Sequence, residues 1–263
     1  MNALTKSVAT IGRGPLVAYR EVVAVLGLAS RVMYWMRHGK IDRRTVMEQM
    51  FIMGNKSLFY MTVTMGVIGI ILIYQGGLQA QRIVPDTSMI GATYLKFLVR
   101  DLAPSIGGLP LAMRIGAGIA AELGSMVVTE QVDAMRMCAA DPVDYLVVPR
   151  FIASTVMTTV ILVWSAFVMT GTGMLTANLV FDVNFHTFLN TTLMTHGDWV
   201  VGLMKSITYG MTIALVSAHR GLSTFGGSAG VGWATTSAVV YSCFAIIVLN
   251  LFLSLIGQAL FPA

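Results

Sequence analysis

The sequence predicts an all-α integral membrane protein: an amphipathic helix lying in the membrane interface, then about five transmembrane helices, with a polar, water-exposed segment between the second and third. Three observations predict it. Mean hydropathy is +0.77 and 56% of residues are hydrophobic, while only 11% are Asp, Glu, Lys or Arg, against about 25% in a soluble domain whose surface must be wetted. Residues 57–81 and 151–181 carry no charged side chain, and about 20 apolar residues suffice to cross a bilayer. A polar island, residues 121–137, lies between membrane-length runs and has to sit in water at a membrane face. The 263 residues allow about five or six spans in one bundle.

Residues 1–44 hold eight of the seventeen basic residues and form the interfacial unit; 45–263 form a single transmembrane domain. From Pro15, a favourable first helical residue, to Met36 the pattern is amphipathic. Tyr19, Val22, Leu26, Ala29, Met33 and Met36 share a face, with Arg20 and Arg31 opposite. Only residues 22–30 run uncharged, too few to span, so this helix is expected to lie apolar side down among headgroups. The alternative is an ordinary amphipathic helix packed on a neighbour.

After a charged break at 39–44, the first span is expected over 45–79, longer than a bilayer needs and therefore tilted, bent or partly outside lipid. Residues 81–88, with Pro85 and Asp86, read as a turn. The second stretch, 89–121, carries Lys96, Arg100, Asp101 and Arg114 and is punctuated by Pro104, Gly107, Gly108 and Pro110. Charges in hydrocarbon are costly and face a bundle interior or water, so this segment is expected to be shielded from lipid. Asp141 reads as an N-cap, Pro142 as the first helical residue and Asp144 as a first-turn acid. They open a third span over 145–175. A polar loop (180–198), a fourth span (199–218) interrupted by Lys205, a glycine-rich loop (220–230) and a fifth span (233–260) follow.

Counting Lys and Arg sets the orientation. One side receives residues 1–44, Arg136, Arg150 and Arg220, the other only Arg82. The positive-inside rule then places the N-terminus and the polar island in the cytoplasm and the C-terminus outside. The same distribution accounts for the +5 charge and pI of about 9.4 through lipid headgroups, not nucleic acid. The first apolar stretch, broken by Arg20, Glu21 and Arg31, has no cleavage pattern of a secretory signal. Cys138 and Cys243 are isolated, and His38, His186, His196 and His219 form no metal pair. No phosphate-binding G-x-x-x-x-G-K-[ST] loop and no G-x-S-x-G elbow occur. The chain is expected to bind no cofactor and to catalyse nothing itself.

Residues 114–126 (RIGAGIAAELGSM), 128–135 (VTEQVDAM), Asp141-Pro142, 146–150 (LVVPR) and the glycine-rich 226–240 together resemble the MlaE/YrbE family. These are permease subunits of bacterial ABC systems that move lipid with Mce-domain proteins, and the similarity runs over nearly the whole chain. The resemblance implies two permease copies, two separate cytoplasmic ATPase subunits that bind ATP and Mg, and a periplasmic ring of Mce-domain protein. It further implies location in the bacterial inner membrane and phospholipid or a related lipid as cargo.

Two sets of site residues follow. The coupling segment implied by the family covers 122–137: Glu122, Thr129 and Arg136, with Glu130, Gln131 and Asp133 able to hydrogen-bond an ATPase and Met126, Val127 and Met135 able to fill a groove on it. For lipid, the resemblance implies apolar walls at the outer ends of the first and fifth spans: Leu72, Ile73, Gln75 and Leu78 with Phe244, Leu251 and Leu255. Arg100, Asp101 and Lys205 are charged groups at membrane depth; Lys205 and Asp101 either face a central, partly wet cavity, or Lys205 snorkels to the interface. Asp101 stands where the family usually has Glu, one methylene longer, which alters the pairing distance the family implies; Trp233 and Ser237 stand where it often has arginine, which alters headgroup contacts near the cytoplasmic end of the last span. Small residues at 66, 69, 171, 173, 210 and 214 would let helices approach closely. An ion-coupled secondary carrier working through Asp101 and Lys205 is the alternative expectation.

Overall fold

The computed structural model describes residues 3–39, 41–83, 88–192 and 194–261, with side-chain surroundings from residue 19 onward except at 80–90. The first helix, α1 (Ala3–His38), begins upstream of Pro15, so that proline is internal. The stripe of Tyr19, Val22, Leu26 and Met33 points away from the protein, whereas Leu28 and Val32 are buried against it. α1 is pinned at two places. Arg31 and the Trp35 indole donate to the Asp141 carboxylate at 3.0 Å, and Glu21 pairs with Arg220 at 2.9 Å and His219 at 3.2 Å. One face is thus docked and the other left for lipid.

Among the described residues five helices are long and apolar enough to cross a membrane, the number the sequence predicts. α2 (Arg43–Ile83) is the first. The turn expected around Pro85 and Asp86 lies outside the described residues. The second span is one rod in five pieces: α3 (Ser88–Phe97), a π segment Leu98–Leu102, α4 (Ala103–Leu111), a π segment Ala112–Gly116, and α5 (Ala117–Val128). Pro104 and Pro110 therefore do not break it. A proline frees a carbonyl in the preceding turn, and a wider π turn re-satisfies the backbone locally.

α5 continues to Val128, so the expected coupling helix over 122–137 is shorter than predicted. Residues 122–128 belong to the membrane rod, and only α6 (Gln131–Met137) is a separate helix. A turn at Thr129 and Glu130 divides them, with Glu130 left-handed at φ 60°. The third span opens with a π segment Val143–Val147 and continues as α7 (Val148–Phe181). Asp141 caps it, its carboxylate accepting the Val143 amide at 2.9 Å. The polar loop holds one helical turn, α8 (Phe185–Phe188). The fourth span, α9 (His196–Leu222), starts earlier than predicted because Thr195 and Asp198 form a capping box. The fifth, α10 (Gly227–Leu260), also starts earlier. Gly226 and Gly227 take positive φ, and a side chain at Gly230 would collide with the Phe225 carbonyl. The glycines expected in a loop are the ones that let this helix begin tightly.

The second span is the centre of the bundle. Gly107 faces Leu162 of α7 and Met65 of α2, and Gly108 faces Tyr209 of α9 and Ile246 of α10. α2 packs on α7, α7 on α9, and α10 on α9 and α5. Gly66 and Gly69 lie against α7, Gly173 against Ile73 and Tyr94, and Gly210 against Thr155; Gly171 opens to free space. α10 is the least covered span, with 11% of its apolar window buried against 56% for α9.

Candidate functional site

Four charges meet where the second, fourth and fifth spans touch. Arg100, 7% exposed, donates to Asp198 at 2.8 Å, to the Gln258 amide oxygen at 2.9 Å and to the Phe261 carbonyl at 3.3 Å. Asp198 also accepts the Thr195 amide at 2.9 Å, so its place in the first turn of α9 is fixed by the cap. About two turns further along α9, Lys205 has no exposed surface. Its ammonium pairs with the Asp101 carboxylate and donates to Ser254 Oγ at 2.7 Å, and Ser254 donates to Asp101 at 3.0 Å. Below these, Asn250 Oδ1 accepts from Tyr209 at 3.0 Å and Ser105 at 2.9 Å.

The cluster is electrically balanced, two cations against two carboxylates. Removing one partner of such a buried pair strands a charge and costs about 3–5 kcal/mol. Lys205 does not snorkel; its partners hold it inside. Asp101 keeps 35% of its side chain open, the most exposed of the four charges. Neither residue lines any of the four cavities described; an apolar one of about 250 Å³ lies nearby, walled by Val99, Ala103, Phe167, Trp199 and Leu203.

The expected apolar lipid walls are not brought together within one chain. Leu72 is half-buried, Ile73 is a core residue, and Gln75 and Leu78 are exposed on α2. Phe244, Leu251 and Leu255 are 65%, 60% and 59% exposed on α10, which packs on α9 and α5, whereas α2 packs on α7. Ile73 is spoken for, since it fills the space opposite Gly173.

At the basic end, Glu122 is not free either. Arg150, 4% exposed, holds it at 3.0 Å and donates to the Leu146 carbonyl at 2.7 Å, tying the second span to the start of the third. Beyond it the segment opens outward. Thr129, Glu130 and Gln131 are exposed, Asp133 and Arg136 form an exposed pair at 2.9 Å, and Met126, Val127 and Met135 are half-buried. Val132 alone is buried to seat the short helix. Asp141 is the firmest group here. Its partial burial pushes its pKa up, but the Val143 amide, Arg31 and Trp35 outweigh that and hold it below the ordinary carboxylate range. Among the described residues no three His, Cys, Asp or Glu side chains converge to hold a metal ion.

Sequence reasoning passed over Asp198, Ser105, Tyr209, Asn250, Ser254 and Gln258. Two signals were present. Thr195 and Asp198 have capping-box spacing, and Asn250, Ser254 and Gln258 recur every four residues along an otherwise apolar helix, which puts them on one face.

The chain matches the family described as Permease MlaE over residues 46–256. It is 37% identical over 240 residues to a probable ABC transporter permease protein of Synechocystis sp., covering 90% of each chain. A chloroplastic protein of Arabidopsis thaliana, TRIGALACTOSYLDIACYLGLYCEROL 1, is 33% identical over 86% of this chain and 65% of its own length. A probable ABC transporter permease protein of Rickettsia bellii is 35% identical over 78% of this chain and 80% of its own.

Proposed function

Because the chain belongs to the MlaE permease family and is a permease subunit, we propose that its cargo is phospholipid or a related lipid. It would pass that lipid between the bacterial inner membrane and a periplasmic Mce-domain carrier. The observation that best supports a lipid is the two-sided character of α10. One face offers Phe244, Leu251 and Leu255 to an acyl chain, and the adjoining stripe of Asn250, Ser254 and Gln258 leads to the charges at Asp101 and Lys205. The Arabidopsis relative is itself named for a galactosylated diacylglycerol. A second copy of the chain, packed on the exposed α10 faces, would close these surfaces into a shared cavity.

ATP and Mg belong to a separate cytoplasmic ATPase, which grips the turn at Thr129 and Glu130 together with α6. From there one rod runs back to Asp101, about 40 Å at 1.5 Å per residue. A push at its basic end moves the groups that tether the fourth and fifth spans, and the two π segments are where the rod yields. The N-terminus and α6 are cytoplasmic and the C-terminus periplasmic on the charge count. The ion-coupled alternative has less behind it, since the relatives are named as ABC permeases and Lys205 is already held by Asp101 and Ser254.

The test is reconstitution with the ATPase in vesicles carrying a fluorescent phospholipid. ATP-dependent transfer to an Mce-domain acceptor is expected. Transfer that proceeds equally without the ATPase would overturn the assignment.

A further inference from the structure

We propose that the groove between α2 and α5 binds an anionic phospholipid of the leaflet at the basic end, its phosphate held between Lys56 and Arg114. The groove encloses about 440 Å³. Lys56 immediately precedes the charge-free run 57–81, so it stands at headgroup depth. Arg114 faces the same groove from the π segment of the second span. Among the described residues neither has a carboxylate within ion-pair distance, whereas Arg31, Arg100, Arg136, Arg150, Lys205 and Arg220 all do. Glu122 is the one carboxylate on the groove, and Arg150 already holds it at 3.0 Å.

Two uncompensated cations on membrane-spanning helices call for a counter-charge. An ammonium and a guanidinium on one groove suit a phosphate, the first as a point charge and the second as a fork. Basic pockets between transmembrane helices hold anionic headgroups in this way. The remaining wall separates a lipid from a free anion: Ile52 is 40% exposed and the buried Met53, Ile115 and Ile119 back the groove's floor, an apolar side that inorganic phosphate cannot use. Gly118 keeps the groove open, since a Cβ there would meet nothing within 4 Å. The site involves neither the charged cluster nor the outer face of α10, and it does not require that the bound lipid be transported.

The full chain, stripped of lipid in mild detergent, is incubated with vesicles of equal phosphatidylglycerol and phosphatidylcholine, and retained lipid is counted by native mass spectrometry. Phosphatidylglycerol should be retained about tenfold over phosphatidylcholine, and Lys56→Gln with Arg114→Gln should erase the preference. Lys56→Arg should keep it. Gly118→Leu should expel the lipid without lowering the melting temperature, which guards against a double variant that fails to fold. Equal retention of the two lipids by the unaltered chain overturns the proposal, as does undiminished preference in the double variant. Displacement by excess inorganic phosphate would make it a soluble-anion site, and loss of a dimer in Gly118→Leu would make it a surface between copies; either result also overturns it. Retention is read without ATP or partners, so a failed transport assay leaves this test standing.

Discussion

Arg100 reaches across the bundle to Asp198 at 2.8 Å, and both side chains are shut away, 9% and 1% exposed. The pair joins the early part of the second span to the first turn of the fourth. Truncating either partner leaves the other charged and buried. Asp198→Ala should therefore lower stability by about 3–5 kcal/mol, while the apolar double replacement Arg100→Met with Asp198→Leu should cost far less. Thermal melting of the three proteins in one detergent decides it; equal losses in the single and double variants would show that the pair is not isolated in this way.

Lys205 and Asp101 share Ser254 as a third partner. Lys205→Ala and Asp101→Ala should each impair lipid transfer, and the double variant should do little further harm, the mark of groups acting as one unit. Strictly additive losses would mean that the two serve separate tasks.

Glu130 combines exposure with a left-handed backbone at φ 60°, where glycine is the unstrained residue. Glu130→Gly should hold or slightly raise stability, yet weaken capture of a co-expressed ATPase. Glu130→Lys should release the ATPase altogether in a pull-down. Retention by the lysine variant would remove Glu130 from the contact.

Asp141 holds α1 through Arg31 and Trp35. Its folded pKa lies below the usual value, so the stability it contributes is complete above the unfolded carboxylate value of about 3.9 and is lost as pH falls through the lower, folded value. Trp35 fluorescence should be flat from neutral pH to about 5 and change only below about 4. Asp141→Asn should show the acid signal at neutral pH. A transition near neutrality in the unaltered chain would mean that another group holds α1.

Gly210 lies so close to α7 that an added Cβ would be 2.8 Å from the Thr155 Cα, whereas at Gly171 it would meet nothing within 4 Å. Gly210→Ala should cost about 1–3 kcal/mol by overpacking, and Gly171→Ala should be nearly silent or stabilising. Equal melting temperatures for the two would contradict the close α7–α9 contact.

The order and number of spans were legible because the charge-free runs at 57–81 and 151–181 are long and their flanks charged. The Asp141 cap was legible for a different reason: its partner amide is two residues away. Helix ends were misjudged where glycine misled, as at Gly230 and Gly232, which sit inside α10. The cluster was only half legible. The stripe of Asn250, Ser254 and Gln258 is written in the sequence, but what it meets is not, since Arg100 is 158 residues from Gln258. The expected lipid walls failed on the same account, because spacing tells which residues share a face and not which helix lies opposite.

Each π turn holds a residue more than ordinary winding would, and a surplus residue advances the azimuth of everything beyond it by about 100°. Between Arg100 and Arg114 this phase slip is what allows a single continuous element to aim one guanidinium at the fourth span and the other toward the first. Deleting Ala112 from Ala112–Gly116 would restore regular winding, remove a single methyl side chain, and turn the whole basic end of the rod out of alignment with its neighbours.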